Sequence, residues 1–550
     1  MKRFRTDHPL TKPNRKTTML SIGLLCLFVC INLIAPMGML LVRSVDFKPF
    51  YKGFQDILSG AATKKALWNS IKISCVSCLI SVSCAFFYAF IVEFKLRGKT
   101  KKIFSFISIL PMLVPSITHG LVIIYLFGKM GIFTRLTGIQ LPVYGSLGII
   151  MGSFFYSFPI AFLILSQAFA NLDGRLFENA TVLGVHPFRR FYEIVLPIMK
   201  YSIFSSFAVC FSMVFTDYGI PLSVGGTYSI LPILFYKNVV GLLDFSKGAI
   251  YSILILLPAA GVYLLDVLYF SKRQVSSANN IIPVKSGPFH ILQKIAFLIL
   301  TAVLIIPVLL IVVTPFITAW PYNLKPTLDH FIRIIKVGTL VKLIRNSVWI
   351  ALCTGILGTI IAFFAGYIYI RNQDGMKGAK KAVHGLYMVS LAVPGLALGL
   401  SYAMLFRGSF LYNTLMILIL VNIVHFFGSP YMMVISHFKL LNPNLEAICK
   451  TLGGNRYHAF VDVIIPNSKK MLLDIFVYFF TNTMITISAV SLLYNTKTMT
   501  LALQITAYND QGMWESAVAV SLVILFFNTV MKLTQVFRTD TRKVEKSALS

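Results

Sequence analysis

The sequence predicts an all-α polytopic membrane protein, with about 12 transmembrane helices arranged as two parallel six-helix repeats. Three observations carry this. Of 550 residues, 57% are hydrophobic and 13% charged, against roughly 25% charged in a soluble domain. Uncharged apolar runs of about 20 residues, enough to cross a hydrocarbon core of roughly 30 Å, recur along the whole chain. Short motifs of the first half return, in order, in the second.

The first six runs lie near 18–42, 70–92, 103–127, 146–170, 198–216 and 248–270. The second six lie near 290–319, 347–370, 384–406, 412–435, 470–494 and 514–533. The first is too long, and lacks a following small-x-small site, to be a cleavable signal. Around these spans the expected organisation is a basic tail (1–17), a first half (18–270, core about 64–270), a linker (271–289), a second half (290–533, core about 342–533) and a second basic tail (534–550).

Charge sets orientation. The net charge is +31, which in a soluble protein would suggest nucleic acid. With a mean hydropathy of +0.78 it reads instead as topology, and no nucleic-acid partner is expected. Placing both termini inside puts about two-thirds of the Lys and Arg on the inner side. Inner loop 93–102 holds Lys95, Arg97, Lys99, Lys101 and Lys102, whereas the outer loops after spans 9 and 11 hold only Arg407 and Lys497. Outer loops 43–69 and 320–346 break the pattern with five basic residues each, but long loops translocate largely regardless of charge.

The repeat is collinear. Asn69-Ser70 matches Asn346-Ser347, and Ala85-Phe86-Phe87 matches Ala362-Phe363-Phe364, both at an offset of 277. Pro115 and Gly120 match Pro394 and Gly399 at 279; Leu183-Gly184 and Pro197 match Leu452-Gly453 and Pro466 at 269. A pseudo-twofold axis along the membrane normal, with a pathway between the halves, follows. Channel, carrier and pump permease all fit this much.

Two inner loops narrow the choice. Loop 171–197 reads NLDGRLFENATVLGVHPFRRFYEIVLP and loop 442–466 reads NPNLEAICKTLGGNRYHAFVDVIIP. Each runs from a short helical stretch to Leu-Gly, then a basic-aromatic stretch, and reaches Pro thirteen residues after the Gly. The spacing predicts a helix–turn–helix at the membrane surface, with Gly184 or Gly453 at the turn and Pro197 or Pro466 where a new helix starts.

This pattern resembles the EAA loop of permease subunits of ATP-binding-cassette (ABC) importers. Glu178, Ala180, Gly184, Ile194, Leu196 and Pro197 fall in register, with Asn179 replacing an Ala. The second copy departs further: Ala447 stands where the family has Glu, Glu446 lies one residue earlier, Val463 and Ile465 stand for Ile and Leu, and Gly453 and Pro466 are kept. Asn-Ser before spans 2 and 8 is similar to the start of the methionine-importer-like transmembrane domain. A fused two-half permease of this kind is similar to the ferric-iron, thiamine and 2-aminoethylphosphonate importers. Thr216-Asp217-Tyr218-Gly219-Ile220-Pro221 with Val224-Gly225-Gly226 and Tyr236-Lys237, and Thr486-Ile487-Ser488-Ala489-Val490 with Leu493-Tyr494, look most like the 2-aminoethylphosphonate permeases.

The resemblance implies a type I ABC importer permease fold in the bacterial inner membrane. Its partners would be two copies of a cytoplasmic ATPase, an extracytoplasmic solute-binding protein and the lipid bilayer. Each EAA loop would seat a coupling helix on one ATPase. The chain is expected to be no enzyme and to bind no cofactor, ATP being bound by the partner. Its Gly98-Lys99-Thr100 has Glu93 where a phosphate-binding loop needs its first Gly. A secondary carrier is the rival reading, but loop 93–102 has no Asp-Arg-like motif and few intramembrane residues ionise.

Individual residues carry two readings each. Glu178 suits a helix cap, an ATPase contact or a solvated face; Arg189 and Arg190 suit the ATPase or anionic lipid. Asp217, beside Tyr218, suits the pathway or a turn before Gly219. Asn482, Thr483, Thr486 and Ser488 suit the pathway or helix–helix bonding, and Asp474 suits the interface. The eight Cys and nine His form no metal-ligand spacing, and Cys75 and Cys78 read as packing residues.

Overall fold

A computed structural model describes residues 23–45, 50–265, 290–336, 339–371, 384–385, 387, 390–442 and 444–548. The linker and the first basic tail therefore lie outside the described residues.

The major helices of the first half are α1 (Gly23–Ser44), α2 (Ala61–Phe94), α3 (Ser116–Phe127), α4 (Ser146–Ala170), α5 (Leu196–Thr216) and α6 (Phe245–Leu265). Those of the second are α7 (Ile291–Val313), α8 (Thr339–Arg371), α9 (Gly395–Phe406), α10 (Leu415–Phe426), α11 (Gly428–Leu440), α12 (Ile465–Ile485) and α13 (Trp514–Ala548). In the first half α2, α4 and α5 pack together, with α6 on α5; in the second, α8 packs on α10, α11 and α12, with α13 on α12.

Lipid tails are as apolar as Leu, so close approach and hydrogen bonds must hold these helices together. One repeat position shows both devices. Ser81 of α2 shares a 2.8 Å hydrogen bond with Ser157 of α4. Its counterpart in α8, at the 277 offset, is Gly358, where a Cβ would come within 2.8 Å of the Phe479 ring.

The halves exchange their first helices. α1 packs on α9 and α6, and α7 packs on α3 and α13. The Tyr402 hydroxyl of α9 donates to the Asn32 carbonyl of α1 at 2.7 Å. Across the same seam Thr118 and Ser521 share a 2.9 Å hydrogen bond, and Asn528 donates to the Leu113 carbonyl at 2.9 Å.

The Asn-Ser pairs have matching duties. Asn69 donates to the Ser229 carbonyl and Ser70 accepts the Leu231 amide, both at 2.9 Å. Asn346 donates to the Lys497 and Met499 carbonyls, and Ser347 accepts the Leu501 amide at 2.8 Å. Each pair satisfies backbone groups where a short helix, Leu231–Tyr236 or Leu501–Asp510, begins.

Several expectations need correction. Among the described residues, nine helices are long and apolar enough to span, or ten if α10 and α11, bent by 53°, count as one. Expected span 9 appears as the short α9, beginning just after Pro394, whose fixed φ suits a helix start. Expected span 11, 470–494, ends its helix at Ile485 and turns through 488–493; Lys469, Lys470 and Asp474 lower its apolarity. Expected span 3 is broken at Leu110–Leu113 and Pro115, between helix Gly98–Ile109 and α3. The long outer loops are largely helical, containing Phe50–Ser59, Asp329–Lys336 and the beginnings of α2 and α8. The fold is also not wholly helical: β1 (Ile317–Ala319) and β2 (Asn323–Pro326) form a small antiparallel hairpin. The Trp320 amide of this hairpin donates to Glu515 at 3.1 Å, tying it to the start of α13.

Candidate functional site

The first inner loop folds into helix Gly174–Val182. Its N-cap is Asp173, whose carboxylate accepts the Arg175 amide at 3.1 Å. Glu178 lies mid-helix, so the capping role considered for it belongs to Asp173. Ala180 is buried. The helix ends at Gly184, with φ +68°, a conformation that costs a non-glycine residue roughly 1–2 kcal/mol. The Gly184 amide donates to the Thr181 carbonyl and the Val185 amide to the Ala180 carbonyl, both at 3.0 Å. This pair of bonds is a Schellman motif.

The second loop follows a similar course. Helix Asn444–Thr451 ends at Gly453, with φ +85°, and the Gly454 amide donates to the Cys449 carbonyl at 2.9 Å. At the two tips, Leu183 is 78% and Leu452 82% exposed. Val182 and Ile448 add further exposed apolar surface. Exposed apolar surface thus recurs at matched positions of the repeat.

Beyond the glycines the chain re-enters differently from the expectation. Pro197 and Pro466 fall in the first turn of α5 and α12, but the chain reaches them already helical: helices starting at Pro187 and Arg456 run on through π-turns, Phe191–Val195 and Ala459–Ile464, directly into α5 and α12. Pro197 and Pro466 have no N–H for the i→i−4 ladder, and the widened turn absorbs that gap. Ile194 is half-buried within the first π-turn, and Leu196 and Pro197 face outward just after it. Arg190 folds back to donate to the Val185 carbonyl at 2.6 Å and the Thr181 hydroxyl at 2.7 Å. Arg189 pairs with Glu193 at 2.6 Å, and this carboxylate raises the pKa of its guanidinium further.

The loops are anchored by unlike pairs. In the first half Phe94, the last residue of α2, packs against Phe177, with ring centroids 5.8 Å apart. In the second, Arg371 ends α8 and its Nε lies 3.3 Å from Glu446 Oε1. The offsets of 277 and 269 make these the same two positions. Glu446 thus stands where the first half has Phe177, and Ala447 is the counterpart of Glu178. Sequence reading missed this pair, although the two offsets contain it.

The candidate pathway residues divide. The Asp217 carboxylate accepts the Ile220 amide at 3.0 Å and also bonds the Ser116 side chain. It therefore holds the turn before Gly219. Tyr218 is buried and stacks on Tyr236, with centroids 5.3 Å apart. Asn482 donates to the Tyr478 carbonyl at 2.8 Å and Thr486 to the Asn482 carbonyl at 2.6 Å, so both bond within their own segment. Thr483 and Thr486 line a water-sized cavity with Ser347, Asn422 and Thr500. Ser488 packs on Gly395. Asp474 accepts from Gln535 of α13 at 2.6 Å.

Two repeated helical halves, a shared seam and a pair of matched surface helices define a membrane-embedded transport subunit. Comparison with known proteins makes this particular. The family described as "Binding-protein-dependent transport system inner membrane component" matches residues 81–271 and 358–537, and the chain belongs to it. It is a fused two-half permease of an ABC importer for a small solute.

A Haemophilus influenzae permease named for ferric transport, FbpB 1, is 23% identical over 464 residues, covering 80% of this chain and 72% of its own. The ferric transport system permease protein FbpB of Actinobacillus pleuropneumoniae is 22% identical over 482 residues, covering 82% and 69%. Among solved structures, a bacterial alginate ABC transporter in complex with an alginate pentasaccharide-bound periplasmic protein aligns with a TM-score of 0.41 and 16% identity, covering 48% of this chain and 98% of that one.

Proposed function

We propose that helices Gly174–Val182 and Asn444–Thr451 are the coupling helices, each seated on one of two cytoplasmic ATPase subunits, with both termini on that side. The observation that carries this is the pair of Schellman-ended helices presenting Leu183 and Leu452. ATP-driven closure of the ATPase pair moves both helices together. Because the chain after each glycine turn runs through a π-turn into α5 or α12, that motion reaches the seam between the halves. Glu178, Ala180, Gly184, Ile194, Leu196, Pro197, Glu446, Ala447, Gly453 and Pro466 form this coupling apparatus. Cargo arrives from an extracytoplasmic binding protein, as the family description implies.

For the cargo, ferric iron is the leading reading, because relatives named for ferric transport align over most of this chain. 2-Aminoethylphosphonate is the second, favoured by the segments 216–226 and 486–494.

The test is co-purification with an ATPase, followed by uptake assays in proteoliposomes. A cysteine at position 178 cross-links to the ATPase, and uptake requires ATP. Solute accumulation by the chain alone on an ion gradient would overturn the reading.

A further inference from the structure

We infer that the second half binds one ordered water molecule in a buried polar cavity between α8, α10 and α12, at positions where the first half is apolar. The inference goes beyond the transport reading and is independent of which cargo the importer carries.

The cavity has a volume of about 10 Å³. A single water needs roughly 10–15 Å³ and about two to four polar partners. The wall supplies them: Ser347 of α8, Asn422 of α10, Thr483 of α12, and Thr486 and Thr500 line it. Asn422 is 2% and Thr483 8% exposed, yet Asn422 Oδ1 and Thr483 Oγ1 have no hydrogen-bond partner among the described residues. Buried polar atoms in native proteins are reached by a partner or by ordered water. Their neighbours are already engaged. The Asn422 amide donates to the Leu418 carbonyl at 2.7 Å, Thr486 donates to the Asn482 carbonyl at 2.6 Å, and Ser347 accepts the Leu501 amide at 2.8 Å. The cavity thus offers one pure acceptor, the Asn422 oxygen, and one hydroxyl able to donate. Water matches both, donating to Asn422 and accepting from Thr483.

The first half fills the same positions differently. The Thr486 amide donates to the Thr483 carbonyl as the Asp217 amide donates to the Val214 carbonyl, so Val214 is the counterpart of Thr483. Thr500 precedes the Leu501 amide bonded by Ser347, as Ile230 precedes the Leu231 amide bonded by Ser70. Val214 and Ile230 are both buried. Hydroxyls therefore stand at the cavity wall where the other half carries hydrocarbon.

The electrostatics favour a neutral occupant over an ion. Neither a carboxylate nor a Lys or Arg lines the wall. Thr486 follows the C-terminal end of α12, which carries partial negative charge. Thr500 caps the N-terminal end of helix Leu501–Asp510, which carries partial positive charge. An ion of either sign is repelled by one of these ends, whereas a dipolar molecule suits both.

The test uses the full chain in lipid nanodiscs. A density map fine enough to show ordered water places one peak within about 3.2 Å of Asn422 Oδ1 and Thr483 Oγ1, in sodium and in choline buffer alike. Thermal melting gives a second reading. Thr483→Val keeps the size and removes the hydroxyl, and Asn422→Leu removes the acceptor. With water bound, each single variant melts about 1–3 °C lower, and the double variant recovers most of the loss because neither polar group is left stranded. In a dry cavity each single variant would remove a stranded group and melt higher. An empty cavity in the map, a peak that requires sodium, or single variants that melt higher overturns the inference and leaves the permease reading intact. The map decides even if Asn422→Leu fails to fold.

Discussion

Arg371 Nε lies 3.3 Å from Glu446 Oε1, at the two positions where the first half sets Phe94 against Phe177. The same joint between a spanning helix and its loop helix is thus polar in one half and aromatic in the other. Both partners of the polar joint are mostly buried, so removing one strands the other.

Glu446→Ala or Arg371→Ala alone should therefore lower thermal stability in detergent. The double variant Arg371→Phe with Glu446→Phe, which copies the first half, should recover much of the loss. A double-mutant cycle should give a coupling of about 0.5–3 kcal/mol. Additive effects would show that the pair is not coupled.

Gly184 and Gly453 hold positive φ at the ends of the proposed coupling helices. Gly184→Val should cost about 1–2 kcal/mol locally and reduce ATP-driven uptake, while Gly184→Asn, which tolerates this conformation, should retain most of it. Gly184→Pro and Gly453→Pro should abolish coupled uptake with the protein still inserted in the membrane. Normal uptake by the proline variants would count heavily against the coupling assignment.

Ser70 and Ser347 accept the first amides of the short helices. Alanine at either position leaves a buried amide unpaired, at a cost of about 1–3 kcal/mol. Hydrogen exchange at Leu231 or Leu501 should rise in the matching variant only. Equal protection in both would show that the hydroxyls do not hold these helices.

Asn528 ties α13 to the Leu113 carbonyl of the opposite half at 2.9 Å. Interhelical hydrogen bonds within membranes average about 0.6 kcal/mol, so Asn528→Leu should lower the melting temperature only slightly. Its larger effect should fall on how firmly the halves hold together, read as an increased rate of cross-linking between cysteines placed across the seam. An unchanged rate would assign Asn528 to packing alone.

Most of the architecture is legible in the order of residues. Asn69-Ser70 and Asn346-Ser347, Leu183-Gly184 and Leu452-Gly453, and the prolines after them mark the same structural duties twice. Such duties are local: a turn needs its glycine, and an exposed amide needs a nearby acceptor. The spans are less securely marked. α9 and α12 belong to the helical core although they are short or polar, because neighbouring helices shield them from lipid. Polarity alone does not separate roles at single sites: Asp217 and Thr486 both satisfy backbone groups nearby.

What the sequence by itself determined is therefore the membrane class, the twofold repeat, the family and the two loop helices. Tertiary structure alone decided which residues meet across distance. It brought α1 onto α9 and α7 onto α3, and paired Arg371 with Glu446. The physical reason is that hydropathy and turn chemistry act over a few residues. Charge pairing and helix packing depend on three-dimensional approach between segments tens to hundreds of positions apart.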